Sequence, residues 1–310
     1  MSLDTAPTGT GTEARPRKRS KAGHHELVPA LLFIAPATIG FLVFFLYPTI
    51  RGFYLSLTDY ALLGEASFIG TENYSRLVED PLFWNSLRVT LVYVVLNIGF
   101  QTVLALGIAV LMQRLTRSTV VRGIVLLPYL IANVIVALVF LWMLDFQLGI
   151  VNIMLDAIGL NRIPFFGSET WAIPTIAGIN VWRHMGYTAL LIFAGLQTIP
   201  ASMYEAASLD GASEWKTFWR ITVPLLRPVL VLVLVLTVIG SFQIFDTVAV
   251  TTSGGPVNAT RVIYYYIFEM AFQRFDFGYA AAMSVILFFI LAFVAFAQLR
   301  LLRGGESDLS

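Results

Sequence analysis

Asn180, Arg183, His184 and Tyr187 stand at i, i+3, i+4 and i+7 within a mostly apolar run. A helix would carry all four on one face. Gly240, Gln243, Asp246 and Thr247, at i, i+3, i+6 and i+7, form a second such group in another run. Such side chains are costly inside a membrane and mark a pathway for a polar solute. The alternative is polar packing between helices with no ligand contact. Asn97 and Gln101, at i and i+4, are read as packing, and so are Tyr129 and Asn133. Other chemistries lack their residues. There is no cysteine, hence no thiolate nucleophile and no disulfide. The three lysines are Lys18, Lys21 and Lys216. None follows a Gly-rich loop, so the phosphate-cradling Walker pattern is missing. No zinc-protease, serine-hydrolase or paired-carboxylate constellation occurs, and His24 and His25 have no metal-ligating company. These absences argue against an enzyme and against a cofactor bound by this chain. A net charge of +1 without a basic domain argues against nucleic acid.

The positioning elements follow from composition. Only 13% of residues are charged, against about 25% in soluble domains, and mean hydropathy is +0.78. A bilayer core needs about 20 apolar residues per helix. Six runs qualify, at 27–48, 87–112, 123–144, 171–198, 228–250 and 279–302, which predicts an all-α membrane protein with six transmembrane helices. Most lysines and arginines fall in the N-terminal tail, in the second-to-third and fourth-to-fifth connections and at the C-terminus. That bias places both termini in the cytoplasm. Residues 1–26 read as a disordered basic tail that orients the chain and contacts lipid headgroups, and 303–310 as a short tail. External connections cover about 49–86, 145–170 and 251–278. Val262–Phe272 is too short to span and reads as a surface or re-entrant helix. At 1.5 Å per residue, Arg183 counted from Pro200 and Gln243 counted from Pro228 both lie roughly 22–26 Å from the cytoplasmic helix ends. An Arg183–Asp246 ion pair is therefore geometrically possible.

Between the fourth and fifth runs lies a short charged, aromatic segment, 201–224. Ala201–Leu209 predicts a helix stopped by Asp210-Gly211. Ser213 can cap a second helix, on which Trp215, Phe218 and Trp219 form one face, ended by Pro224 and Pro228. An amphipathic helix lying on lipid would place tryptophan at the headgroups. It does not explain the glycine at the bend or Glu205, Asp210 and Glu214 facing an anionic leaflet. A knob that docks on a cytoplasmic partner explains both.

The spacing Glu205-Ala206-Ala207, three residues, Gly211, nine residues, Ile221-x-Val223-Pro224 resembles the EAA loop of binding-protein-dependent ABC importer permeases, with Val223 where the pattern has Leu. Leu196-Gln197-x-Ile199-Pro200, Phe68-Ile69-Gly70-x-x-Asn73-Tyr74 and Thr252-Ser253-Gly254-Gly255-Pro256 are similar to the sugar branch. From about 27 to 302 the chain resembles the MalF-like half of a carbohydrate importer. The resemblance implies a type I ABC importer permease (MetI-like/MalF-like) fold in the bacterial cytoplasmic membrane. It also implies a MalG-like second permease, two ATP-binding subunits that hold ATP and Mg, an extracytoplasmic solute-binding protein and a sugar substrate. Loop 201–224 becomes the coupling loop, with Glu205, Ala206, Ala207, Asp210, Gly211, Trp215, Ile221 and Pro224 at the ATPase. Arg183, His184, Tyr187, Gly240 and Gln243 fall at positions of the family's sugar contacts, and Asn180 and Asp246 share their stripes. Tyr187 could stack on a pyranose, and Arg183 and Gln243 could bind hydroxyls; Arg183 could instead meet an anionic group such as a phosphate. Arg183 and His184 differ in type from a maltose-type protein, which leaves the substrate open. An ABC permease for another solute, or an ion-coupled secondary transporter using Asp246, are the alternative readings.

Overall fold

The computed structural model describes residues 24–62, 66–115 and 118–303. The expected N-terminal tail lies outside the described residues except at its last three, which already belong to a helix. The expected C-terminal tail lies outside them except for Arg303.

The chain divides at Arg51 into two units. The first holds α1, His24–Phe41, a π-turn at Leu42–Leu46 and the start of α2, Tyr47–Leu55. Pro29 and Pro36 sit inside α1. Each removes a backbone donor. Thr38 and Thr49 return their hydroxyls to the carbonyls of Ile34 and Phe45, at 3.1 and 2.7 Å.

The second unit is helical apart from two isolated bridges. A short helix, α3, Glu72–Glu79, precedes α4, Pro81–Leu115. Then come α5, Thr119–Leu130, α6, Asn133–Met143, α7, Ile150–Ala157, and α8, Ala172–Leu196. The polar segment supplies α9, Ala201–Leu209, and α10, Glu214–Thr217. A π-turn at Phe218–Thr222 leads into α11, Val223–Phe242, followed by α12, Asp246–Thr251. The chain finishes with α13, Ile263–Phe268, a π-turn at Glu269–Gln273 and α14, Phe277–Arg303.

Among the described residues four helical stretches are long and apolar enough to cross a membrane: Leu31–Leu55, Pro81–Leu115, Glu214–Thr251 and Phe277–Arg300. The expected third span is not one straight helix. It is the pair α5 and α6, bent by 86° at Ile131–Ala132, and counting it as one span gives five. The expected fourth span is α8, whose 25 residues are long enough. Asn180, Arg183 and His184 dilute its apolar character below that of the others. The expected fifth span differs at both ends. Pro224 and Pro228 do not stop the preceding helix: Pro224 stands in the first turn of α11, just past the π-turn at Phe218–Thr222, Pro228 is carried inside α11, and helix runs on from Glu214 to Phe242. It then breaks at Gln243–Phe245, so Gly240 and Asp246 do not share one unbroken helix face. Of the two expectations for the stretch after Val262, the surface helix does not hold: Ile263, Tyr266 and Met270 are buried in the core.

Two clusters hold the bundle. One, around Phe83, Tyr93, Ile176, Tyr266 and Met283, joins α4, α8, α13 and α14. The other, around Ala109, Ile192, Leu196 and Leu226, lies next to the 201–224 segment. Asp80 ties the N-terminal end of α4 to the elements after α12. It accepts the hydroxyls of Tyr266 and Tyr279 at 2.6 and 2.7 Å and the amide of Leu82 at 2.8 Å. Burial alone would raise its carboxyl, but these donors outweigh burial and hold it below the usual carboxylate range. Asn73 is buried and donates to the carbonyls of Ser56 and Thr58, at 3.0 and 2.8 Å.

The helices approach most closely where side chains are smallest, as lipid-embedded helices do. A Cβ added to Gly186 on α8 would stand 1.9 Å from the carbonyl oxygen of Val125 on α5, whereas one on Gly178 would meet nothing within 4 Å. Gly186→Val is expected to lower stability by about 1–3 kcal/mol, and Gly178→Ala to change it little. Thermal unfolding of the detergent-solubilised protein measures both.

Candidate functional site

The break in each of two helices makes a cavity. α5 ends at Leu130 and α6 begins at Asn133; α11 ends at Phe242 and α12 begins at Asp246. The two breaks are joined where Asn133 Nδ2 donates to Asp246 Oδ2 at 3.0 Å. Against them opens a cavity of about 330 Å³. Asn180, His184 and Tyr187 from α8 line it, with Gly240, Gln243 and Asp246 from α11 and the break. Six of the seven pathway residues expected from sequence therefore border one space.

Arg183 is not part of that lining. Its Nε donates to the Ile131 carbonyl at 3.0 Å, Nη2 to the Tyr129 carbonyl at 3.1 Å, and Nη1 lies 2.9 Å from His184 Nε2. The last carbonyls of a helix have no intrahelical donor, and no water reaches them in hydrocarbon. Arg183 caps the end of α5 and so holds the bend. It forms no ion pair with Asp246 among the described residues. His184 Nδ1 lies 2.9 Å from the Asn180 carbonyl. It must donate there, which leaves Nε2 as an acceptor for the arginine and the imidazole neutral.

Four residues read as packing also border the cavity. The Tyr129 ring stacks on Tyr187 with centroids 4.5 Å apart and planes 11° apart, and meets His184 edge-on at 5.7 Å. Asn97 Nδ2 donates to Ser241 Oγ at 2.9 Å, and Gln101 Nε2 to Thr188 Oγ1 at 2.8 Å. Those bonds tie α4 to α11 and α8, as packing requires. Tyr129 and Asn133 are the residues that sequence reasoning missed. Pro128 just before them was the available signal of an interrupted span.

At the other end, α9 and α10 form a bent projection. Gly211 takes φ +69°. Its amide donates to the Ser208 carbonyl at 3.1 Å, and that of Ala212 to the Ala207 carbonyl at 2.9 Å. This pair is a Schellman stop, and the left-handed position needs glycine. Ser213 Oγ then accepts the Lys216 amide at 3.4 Å and starts α10. Glu205, Ala206, Asp210 and Pro224 are exposed and Ile221 is half-buried. Ala207 is 5% exposed, so its small size serves packing within the chain. Leu209, missed from sequence, is 89% exposed at the tip. Trp215 and Trp219 pack edge-on at 5.6 Å. They flank a groove against Val103, Gly107 and Val110 of the apolar helix α4, a setting that suits headgroup depth. Arg114 at the end of α4 pairs with Glu214.

Residues 101–304 match the family model of the binding-protein-dependent transport system inner membrane component. The chain is 34% identical over 280 residues to the sulfoquinovosyl glycerol transport system permease protein SmoG of Agrobacterium fabrum, covering 89% of this chain and 91% of the relative. It is 34% identical over 274 residues to the trehalose/maltose transport system permease protein MalF of Thermococcus litoralis, covering 88% and 92%. It also resembles a chain of a bacterial ABC transporter that imports the acidic polysaccharide alginate, with a TM-score of 0.80, 25% identity and coverage of 91% and 96%.

The geometry of Arg183 makes its own prediction. Arg183→Ala should lower stability by about 1–3 kcal/mol, because the Tyr129 and Ile131 carbonyls at the bend lose their donor. Arg183→Lys should recover less than half of that, since one ammonium cannot span both carbonyls and His184. Thermal unfolding checks this; an unchanged midpoint for the alanine variant would contradict the capping role.

Proposed function

We propose a working cycle for a chain that belongs to the family of binding-protein-dependent transport system inner membrane components and is a permease subunit of a sugar importer. In this reading α8 is the remaining span, giving six, with both termini in the cytoplasm of a bacterial cell. A second, MalG-like permease completes the pathway. Two ATP-binding subunits, which hold ATP and Mg, grip the projections of the two permeases. A solute-binding protein delivers sugar to the external connections, with 251–278 among them. Residues 1–26 are a cytoplasmic tail in contact with lipid headgroups, 27–302 are the permease domain, and 303–310 are a short cytoplasmic tail.

One observation carries this reading. The projection and the cavity are two ends of one helical run, from Glu214 through the π-turn to Phe242. At 1.5 Å per residue that run is about 43 Å long. Movement of the 201–217 tip is transmitted along it to Gly240 and Ser241 on the cavity wall. Closure of the ATPase pair on ATP pulls the two tips together and turns the cavity from the cytoplasmic to the external side. Hydrolysis resets it and releases sugar inward. Sugar shifts such an equilibrium only because one state binds it better. Gln243 and Tyr187 contact the sugar, and Asn180 and His184 hold the wall behind them.

Glu205 is exposed and makes no ion pair among the described residues, so its carboxylate is available to a partner. Glu205→Lys should leave membrane insertion and pairing with the second permease intact. It should reduce sugar uptake and binding-protein-stimulated ATP hydrolysis by more than about tenfold, the loss of one charge-assisted contact. Proteoliposomes containing the whole complex measure both activities, and normal uptake by the variant would refute the coupling assignment.

A further inference from the structure

We infer that the cavity is built to take a neutral, hydroxyl-rich sugar and to reject an anionic one, with Asp246 as the residue that discriminates. The inference rests on the sugar-importer reading above and adds the charge class of the cargo. Family membership leaves that class open, since one similar permease serves trehalose/maltose and a similar structure comes from an importer of an acidic polysaccharide.

Three features of the wall carry it. First, among the described residues Asp246 is the only carboxylate, lysine or arginine that lines the cavity. Second, the nearby cation is turned away. Arg183 has three of its five N–H donors committed to the two carbonyls at the end of α5 and to His184, and its Cζ lies 5.3 Å from the Tyr129 ring centroid. Tyr129, not the guanidinium, borders the cavity. His184 is the neutral tautomer by its two hydrogen bonds. Third, the remaining polar lining is neutral, with the amides of Gln101, Asn180 and Gln243 and the hydroxyls of Tyr187 and Thr237 among it. A sugar hydroxyl donates to a carboxylate or an amide oxygen. A phosphate, sulfonate or uronate presents acceptors and a like charge to Asp246.

The test uses the transporter assembled with its partner permease and ATPase subunits in lipid nanodiscs, without the binding protein, whose own preference would mask the cavity's. Equilibrium binding is measured for radiolabelled trehalose, maltose and lactose, each against its 6-phosphate. For at least one pair the wild type should bind the neutral sugar at least tenfold more tightly than the phosphate. Asp246→Asn should shrink that ratio to within about threefold, a change of about 0.7 kcal/mol or more. Asp246→Glu, which keeps the charge, should preserve it and controls for damage to the fold. A phosphorylated sugar bound as tightly as its neutral form by the wild type, or a ratio unchanged in Asp246→Asn, would overturn the inference and leave the sugar reading standing. Binding of none of the six probes, with uptake of an amino acid by the same complex, would remove the sugar reading and this inference with it.

Discussion

No water reaches the hydrocarbon core to satisfy a peptide group, and each unsatisfied one costs several kcal/mol. A helix can be interrupted there only if the protein itself supplies the missing partners. This chain is interrupted twice, at Ile131–Ala132 and at Gln243–Phe245. Arg183 repays the first interruption by taking the carbonyls of Tyr129 and Ile131. Asn133 and Asp246 bind the two interruptions to each other. The cavity exists because these repairs hold the helices apart at their breaks. The residues that repair the backbone and the residues that border the cavity are neighbours on the same elements for that reason.

The projection obeys a simpler rule, because its partners are local. Gly211 stops α9, Ser213 starts α10, and the bonds that do so span five residues or fewer. Its stiffness matters more than its shape. Proline would normally end a helix, yet the run continues through the π-turn at Phe218–Thr222, past Pro224 and Pro228, and reaches the cavity wall. On the proposed cycle that run is the lever between a motor outside this chain and the solute inside it.

The contrast explains what could be read from sequence. The first, second and sixth apolar runs, the Asp210-Gly211 stop and the polar stripe on α8 are local patterns, and each stands where its residues predict. The two interruptions did not announce themselves. Pro128 lies three residues before the first, and the second has no proline or glycine within it, so both are fixed by side chains distant in the chain. The role of Arg183 was illegible because its partners are carbonyls, which every residue has. Asp246 looked like a partner for that arginine because depth along two ideal helices was the only ruler. With α11 broken before it, Asp246 faces Asn133 instead. Tyr129 and Asn133 were taken as packing because the 86° bend that brings them to the cavity has no counterpart in a linear pattern.

The central claim is that the space between the broken helices is the solute's passage and changes sides under the control of the ATPase partners. The chain has no cysteine, and a Cβ added at Gly240 on the cavity wall meets nothing within 4 Å. Gly240→Cys in the assembled transporter therefore reports access with one thiol and little disturbance. A membrane-impermeant thiol reagent should label it from the cytoplasmic side at rest and from the external side once the ATPases are trapped with a non-hydrolysable ATP analogue. A thiol reached from neither side, or from the same side in both states, would contradict the account.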